Sequence, residues 1–169
     1  MELIHLVIFR LGKQAYAFSI EAVSQIIDMV TILPLPKADP LIEGVINVHG
    51  RLLPVIDLHR LFHSAARTFK LHTPILLVTI ENRLIGLIVD EVLDIYSVTP
   101  DQVADTTDFL PNGSQPVPIL LGVTTVAKET VMLLDLNCVL DSEQRWALHQ
   151  IGELQEFSQP EPPAGNQAN

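Results

Sequence analysis

The sequence predicts a mainly β protein: two small five-stranded barrels from an internal duplication, packed together, with short helices and a C-terminal helix. Three observations carry that prediction. Apolar residues make up 48% of the 169 residues while aromatics are only 5%, and the apolar content is mostly Val, Ile and Leu, which suit pleated strands. The chain also repeats itself. Shifted by 69 positions, Phe18–Ile26 falls on Leu87–Ile95 with the shared pattern apolar-x-apolar-acid-x-Val-x-x-Ile; shifted by 78, Gly44-Val45 falls on Gly122-Val123, Val48 on Val126 and Val55–Leu58 on Leu133–Leu136. Finally, each copy of about 60 residues holds about five short strand signals, and closing them into a barrel removes exposed edges. The copies span about 1–62 and 74–140, both within a domain over 1–142. The nine extra residues of the second copy belong to Asp105–Pro118, a stretch rich in turn formers.

In the first copy, Leu3–Leu11 and Ala15–Ile20 flank Gly12-Lys13 as a hairpin, and Gly44–Val48 and Leu52–Ile56 flank His49-Gly50 as another. In the second, Ile75–Ile80 and Leu84–Val89 surround Glu81–Arg83, while Gly122–Val126 and Thr130–Leu134 surround Ala127–Glu129. Asp57 and Asp135 each end an apolar run and precede Leu, which fits the N-cap of a short closing helix. Low aromatic content gives neither barrel a large core of its own, so the two are expected to pack together. Asp141-Ser-Glu-Gln144 reads as a capping box opening a helix over 143–154, with Leu140, Ala147, Ile151 and Leu154 on one face and Trp146 at its margin. The proline-rich segment 155–169 reads as a disordered tail.

Composition restricts the functional classes. A net charge of −10 repels phosphate backbones and disfavours nucleic acid as a partner. The charge is uneven, about +1 over 1–73, −7 over 74–140 and −4 over 141–169, so the two halves are expected to present faces that attract different surfaces. The single Cys138 forms no internal disulfide and no cysteine-based zinc site. The start MELIHLVIFRLGKQ lacks the basic region of a signal peptide, and no apolar run reaches the ~18 residues of a membrane span. A cytoplasmic setting is the expectation.

No constellation supports catalysis. Asp57 and Asp135 are symmetry-related carboxylates, the raw material of an aspartic hydrolase, but both are followed by Leu rather than the Thr/Ser-Gly that shapes such a dyad. His59 and His63 stand four apart without a recognisable third metal ligand, so no metal or cofactor is expected. Cys138 lies in an apolar stretch with no activating neighbour, the glycines are isolated, and no Gly-x-Ser-x-Gly occurs. What remains is binding. Pro54 inside an apolar run marks an edge or a bulge, and Asn47, His49 and Arg51 alternate with apolar residues, either as a polar outer face or as a contact surface.

The stretch Gly44–Leu58 resembles the Gly-Val-x-Asn-Leu-Arg-Gly-x-x-x-Pro-Val-x-Asp-Leu segment of CheW-like domains, the coupling proteins of bacterial chemosensory arrays. Phe9-x-Leu-Gly, Tyr16-Ala-Phe-x-Ile20, Val23, Ile32-x-Pro-x-Pro36, Leu84–Val92 and Leu133–Leu136 follow the family in order, over about 3–142. The resemblance implies two packed five-stranded barrels and a non-enzymatic adaptor joining the regulatory domain of a CheA-type histidine kinase to chemoreceptor cytoplasmic tips, in arrays at the inner membrane. It also implies a receptor helix lying where the barrels meet, with Ile26, Ile27, Val89, Val92 and Leu93 as candidate apolar anchors. The family's arginine is His49 here, which lacks the guanidinium fork, and Arg51 is the nearby substitute. The alternatives outside that family are a generic two-barrel binding adaptor and the aspartic hydrolase.

Overall fold

The computed structural model describes residues 2–63, 69–113, 115, 117–141, 144–146 and 148. Ten strands, β1 (Ile4–Leu11), β2 (Gln14–Ser19), β3 (Val23–Asp28), β4 (Ile42–Val48), β5 (Arg51–Asp57), β6 (Pro74–Ile80), β7 (Arg83–Ile88), β8 (Glu91–Val98), β9 (Leu120–Val126) and β10 (Glu129–Leu134), are joined by the short helix α1 (Leu58–His63) and several 3-10 turns. They form two five-stranded sheets, β8-β1-β2-β10-β9 (sheet A) and β3-β6-β7-β5-β4 (sheet B).

The duplication is written into the register. The parallel pair Leu133↔Ala17 has its counterpart in Val55↔Gly86, shifted by the two offsets of the sequence repeat. Gly44↔Val55 is matched by Gly122↔Leu133, and Phe9↔Val92 by Val23↔Val78. The boundaries 1–62 and 74–140 nevertheless delimit the repeats and not the sheets: β1 and β2 of the first half join β8–β10 of the second, while β6 and β7 join β3–β5. Apolar periodicity says which face of a strand is buried but not which strand lies beside it. The exchange redraws the two bodies but keeps one neutral and one acidic: residues 20–88, which supply sheet B, carry six Lys/Arg and six Asp/Glu, whereas 1–19 and 89–140, which supply sheet A, carry three and nine. No ladder between the outer strands closes either sheet into a barrel among the described pairings.

The central strands β1, β2, β5, β6 and β7 are buried on both faces, which explains their unbroken apolar runs. Phe9, Leu11, Leu76, Val78, Ile85, Leu87 and Val89 belong to a core shared by the two sheets. The alternate residues Leu6, Ile8, Val131 and Leu133 face a second cluster inside sheet A, and Leu53, Val55, Ile75 and Leu77 a third inside sheet B.

The sheet edges are covered in the same way in both halves. Leu33 and Val45 exchange backbone hydrogen bonds of 2.8 and 2.9 Å along β4, and Ala104 and Val123 do the same at 2.8 and 2.9 Å along β9. Gly44 and Gly122 make these approaches possible: a Cβ would stand 2.3 Å from the Leu33 carbonyl oxygen at the first and 2.8 Å from that of Ala104 at the second.

The two aspartates are helix caps, as the sequence predicts. Asp57 Oδ1 accepts from the His59 backbone N–H at 3.1 Å, and Asp135 Oδ1 accepts from that of Asn137 at 3.0 Å. Asp57→Ala and Asp135→Ala should each cost about 0.5–2 kcal/mol in denaturant unfolding, with Asn largely sparing both. The buried Asp57, at 3% exposure, should give the larger loss. Equal stability of the Ala and wild-type proteins would show that the caps carry no weight. Asp141 and Gln144 exchange the expected capping-box bonds at 2.8 Å, and Leu148 is buried in the shared core. The rest of the predicted helix 143–154 and the tail 155–169 lie outside the described residues.

Candidate protein-docking surface

The edge strands β3 and β8 carry the candidate surface. Each contains one extra residue, a β-bulge that shifts its register: Phe9↔Val92 is followed by Ile8↔Asp94, and Val23↔Val78 by Gln25↔Leu77. Leu93 and Ser24 are the extra residues. Past the bulge, side chains three apart share a face. Val23 and Ile26 therefore lie on the face of Val78 and Leu76, which is the side where the sheets meet, and Val92 and Ile95 lie on the equivalent face of β8. Val23 and Val92 are partly buried against the shared core, while Ile26 and Ile95 remain 40% and 51% exposed. The result is an apolar rim at the junction of the sheets, repeated by the duplication.

The anchors expected from sequence divide accordingly. Ile26 is on the rim and Val92 at its base. Ile27 and Leu93 face the other way, packed against the inner clusters of sheets B and A. Val89 is fully buried, at 0% exposure, and is corrected to a core residue; its repeat counterpart Ile20 is exposed. Ile95 escapes the sequence reading because its odd spacing from Val92 would put it on the opposite face of a regular strand.

Asn47, His49 and Arg51 do not share one side. The hairpin pairs Asn47 with Leu52 and Val48 with Arg51, so Arg51 lies on the face of Val48 and Asn47 on the other. His49 and Gly50 form the two-residue turn with φ of 53° and 85°, and Asn47 Oδ1 accepts from the Gly50 N–H at 2.8 Å. Asn47 thus holds the turn, while His49 and Arg51 project from it, both exposed.

The remaining polar candidates are engaged in structural contacts. His59 Nδ1 and Asp90 Oδ2 are 2.7 Å apart, and the same oxygen accepts from the Gly12 backbone N–H, tying α1, the β1–β2 turn and the β7–β8 crossover together. The Cys138 thiol lies 3.5 Å from Asp135 Oδ2; desolvation, that hydrogen bond and the carboxylate charge all raise its pKa, so the unreactive thiol form dominates at neutral pH. Among the described residues no three potential metal ligands come together, and no helix is long and apolar enough to cross a membrane.

Residues 5–144 match the family profile of the CheW-like domain. The chain belongs to the CheW-like family. It is 32% identical to the chemotaxis protein CheW of Rhizobium meliloti over 84% of this chain and 90% of that protein. It is also 28% identical to the protein PilI of Pseudomonas aeruginosa over 64% and 61%. The crystal structure of the scaffolding protein TtCheW from Thermoanaerobacter tengcongensis has the same fold, with a TM-score of 0.72 at 23% identity, covering 85% of this chain and 96% of that one. The CheW-like fold is thus the setting of the rim formed by β3 and β8.

Proposed function

We propose that this chain is a non-enzymatic coupling scaffold of a bacterial chemosensory array, joining the regulatory domain of a CheA-type histidine kinase to chemoreceptor cytoplasmic tips. The observation that carries the reading is the CheW-like match over 5–144, nearly all of the described chain. The scaffold works in the cytoplasm, at receptor arrays on the inner membrane. Its receptor-facing element is the apolar rim of Ile26, Val92 and Ile95, which suits an amphipathic helix laid across the junction of the sheets. His49 and Arg51 supply polar contacts from the β4–β5 turn. Asp57 and Asp135, each engaged at its own helix start, favour this scaffold over an aspartic hydrolase.

The test uses the full-length chain with the kinase and an immobilised receptor-tip fragment of the same organism. The chain should increase kinase retention on the receptor at least about fivefold, a difference of about 1 kcal/mol. Kinase retention that is the same with and without the chain overturns the coupling role.

A further inference from the structure

The duplication allows the two crossovers that lead into the rim to be compared. Val89 and Asp90 lead into β8, and Ile20 and Glu21 hold the same repeat positions before β3. Asp90 is held by β1, the β1–β2 turn and α1. Its backbone N–H donates to the Arg10 carbonyl at 3.0 Å, its Oδ2 accepts from the Gly12 N–H, and His59 Nδ1 stands 2.7 Å from that same oxygen. A carboxylate only accepts, so Nδ1 carries the hydrogen between them. The repeat puts Glu21, Glu81 and Asn137 where Asp90, Gly12 and His59 stand. Glu21 is exposed and makes no side-chain hydrogen bond or ion pair among the described residues, and Glu81 pairs with Arg145 instead. The two crossovers differ accordingly: the one that is tied down buries Val89 completely, while the other winds into a 3-10 turn and leaves Ile20 36% exposed.

We propose that Asp90 is a positioning residue for the receptor contact: together with His59 it fixes the place and phase at which β8 presents Val92 and Ile95, without touching the receptor itself. Val92 follows Asp90 by two residues and Ile95 by five, with the Leu93 bulge between them. A bulge sets the phase of a strand only relative to a fixed start, and Asp90 supplies that start. Released from Gly12 and His59, the crossover is free to take the turn form seen before β3, which moves Val92 off the shared core and Ile95 out of line. The β3 half of the rim has no such latch, so Ile26 keeps its place whether or not Asp90 is present. The β8 half is thus preorganised through α1, and preorganisation lowers the ordering cost of binding. This inference rests on the receptor-facing role proposed above for the rim.

Titration of the full-length chain with the receptor-tip fragment, as a double-mutant cycle, tests this. Asp90→Ala should weaken receptor binding about five- to twentyfold. In an Ile95→Ala background that effect should shrink to within about twofold, because the contact that Asp90 positions is already lost, whereas in an Ile26→Ala background it should persist in full. His59→Leu, which leaves the Asp90–Gly12 bond in place, should weaken binding about three- to tenfold, and His59→Asn, whose Nδ2 can donate from the position of Nδ1, should restore it to within about twofold of wild type. Unfolding midpoints report whether each variant keeps its fold; should Asp90→Ala unfold, the His59 pair carries the same cycle. Affinity within about twofold of wild type in both Asp90→Ala and His59→Leu overturns the positioning role, as does an equal loss in the Ile95→Ala and Ile26→Ala backgrounds or an equal loss in His59→Leu and His59→Asn. Each of those outcomes leaves the rim's receptor role standing. Wild-type affinity in Ile95→Ala and Ile26→Ala alike overturns that role instead.

Discussion

Gly44→Ala is expected to destabilise the protein by about 3 kcal/mol, as a steric clash combined with broken hydrogen bonds does. The new Cβ would stand 2.3 Å from the Leu33 carbonyl oxygen, 2.8 Å from Ile32 Cγ2 and 2.9 Å from the Leu33 carbonyl carbon. That oxygen accepts from Val45 N–H at 2.9 Å, so relief of the clash sacrifices the bridge that covers the β4 edge. Gly122→Ala should cost less, about 2 kcal/mol: Val103 Cγ1, at 2.6 Å, is a side-chain atom that can turn away, and the backbone oxygen of Ala104 stands at 2.8 Å where that of Leu33 stands at 2.3 Å. Gly50→Ala provides the comparison: nothing lies within 4 Å of its added Cβ, and the positive φ alone costs about 1–2 kcal/mol. Urea midpoints at constant m-value measure all three. A Gly44→Ala loss no greater than that of Gly50→Ala would show that the strand crossing yields freely.

Ile95→Asp and Ile26→Asp should each weaken binding of the receptor-tip fragment at least thirtyfold, about 2 kcal/mol, the scale of a hot-spot residue. Both side chains are exposed, so their unfolding midpoints should move little. Val89→Asp places a charge in the shared core and should unfold the protein instead. Leu93→Asp and Ile27→Asp should lower stability through the inner clusters. Wild-type receptor affinity in both Ile95→Asp and Ile26→Asp, measured by titration, would remove the rim from the receptor contact.

Much of the fold is legible in the sequence. The repeat offsets identify equivalent strands, and Asp57 and Asp135 are recognisable as caps because a short polar acceptor precedes an apolar helical turn in both copies. The pairing of strands is not legible in the same way. A strand buried on both faces has the same apolar run whichever neighbour it joins, so the exchange of hairpins between halves leaves no mark in the pattern. The apolar rim proposed for docking is legible at Ile26 and Val92 but not at Ile95, because a one-residue bulge at Leu93 reverses the phase of the strand. Val89 and Ile20 occupy equivalent repeat positions, yet one is buried and the other exposed, so similarity of pattern does not fix depth in the core.

The exchange of strands has a consequence for synthesis. Sheet B has all five strands once Ile88 has emerged from the ribosome, but β1 and β2, the first to appear, wait for β9 and β10, about 100 residues later. At about 5–20 residues per second, that interval is on the order of ten seconds. Throughout it, the newborn β1–β2 hairpin carries two apolar faces and lacks its parallel neighbour β10. The protein's period of greatest vulnerability to aggregation is therefore set by translation speed, and slowing the ribosome between β2 and β10 would lengthen it.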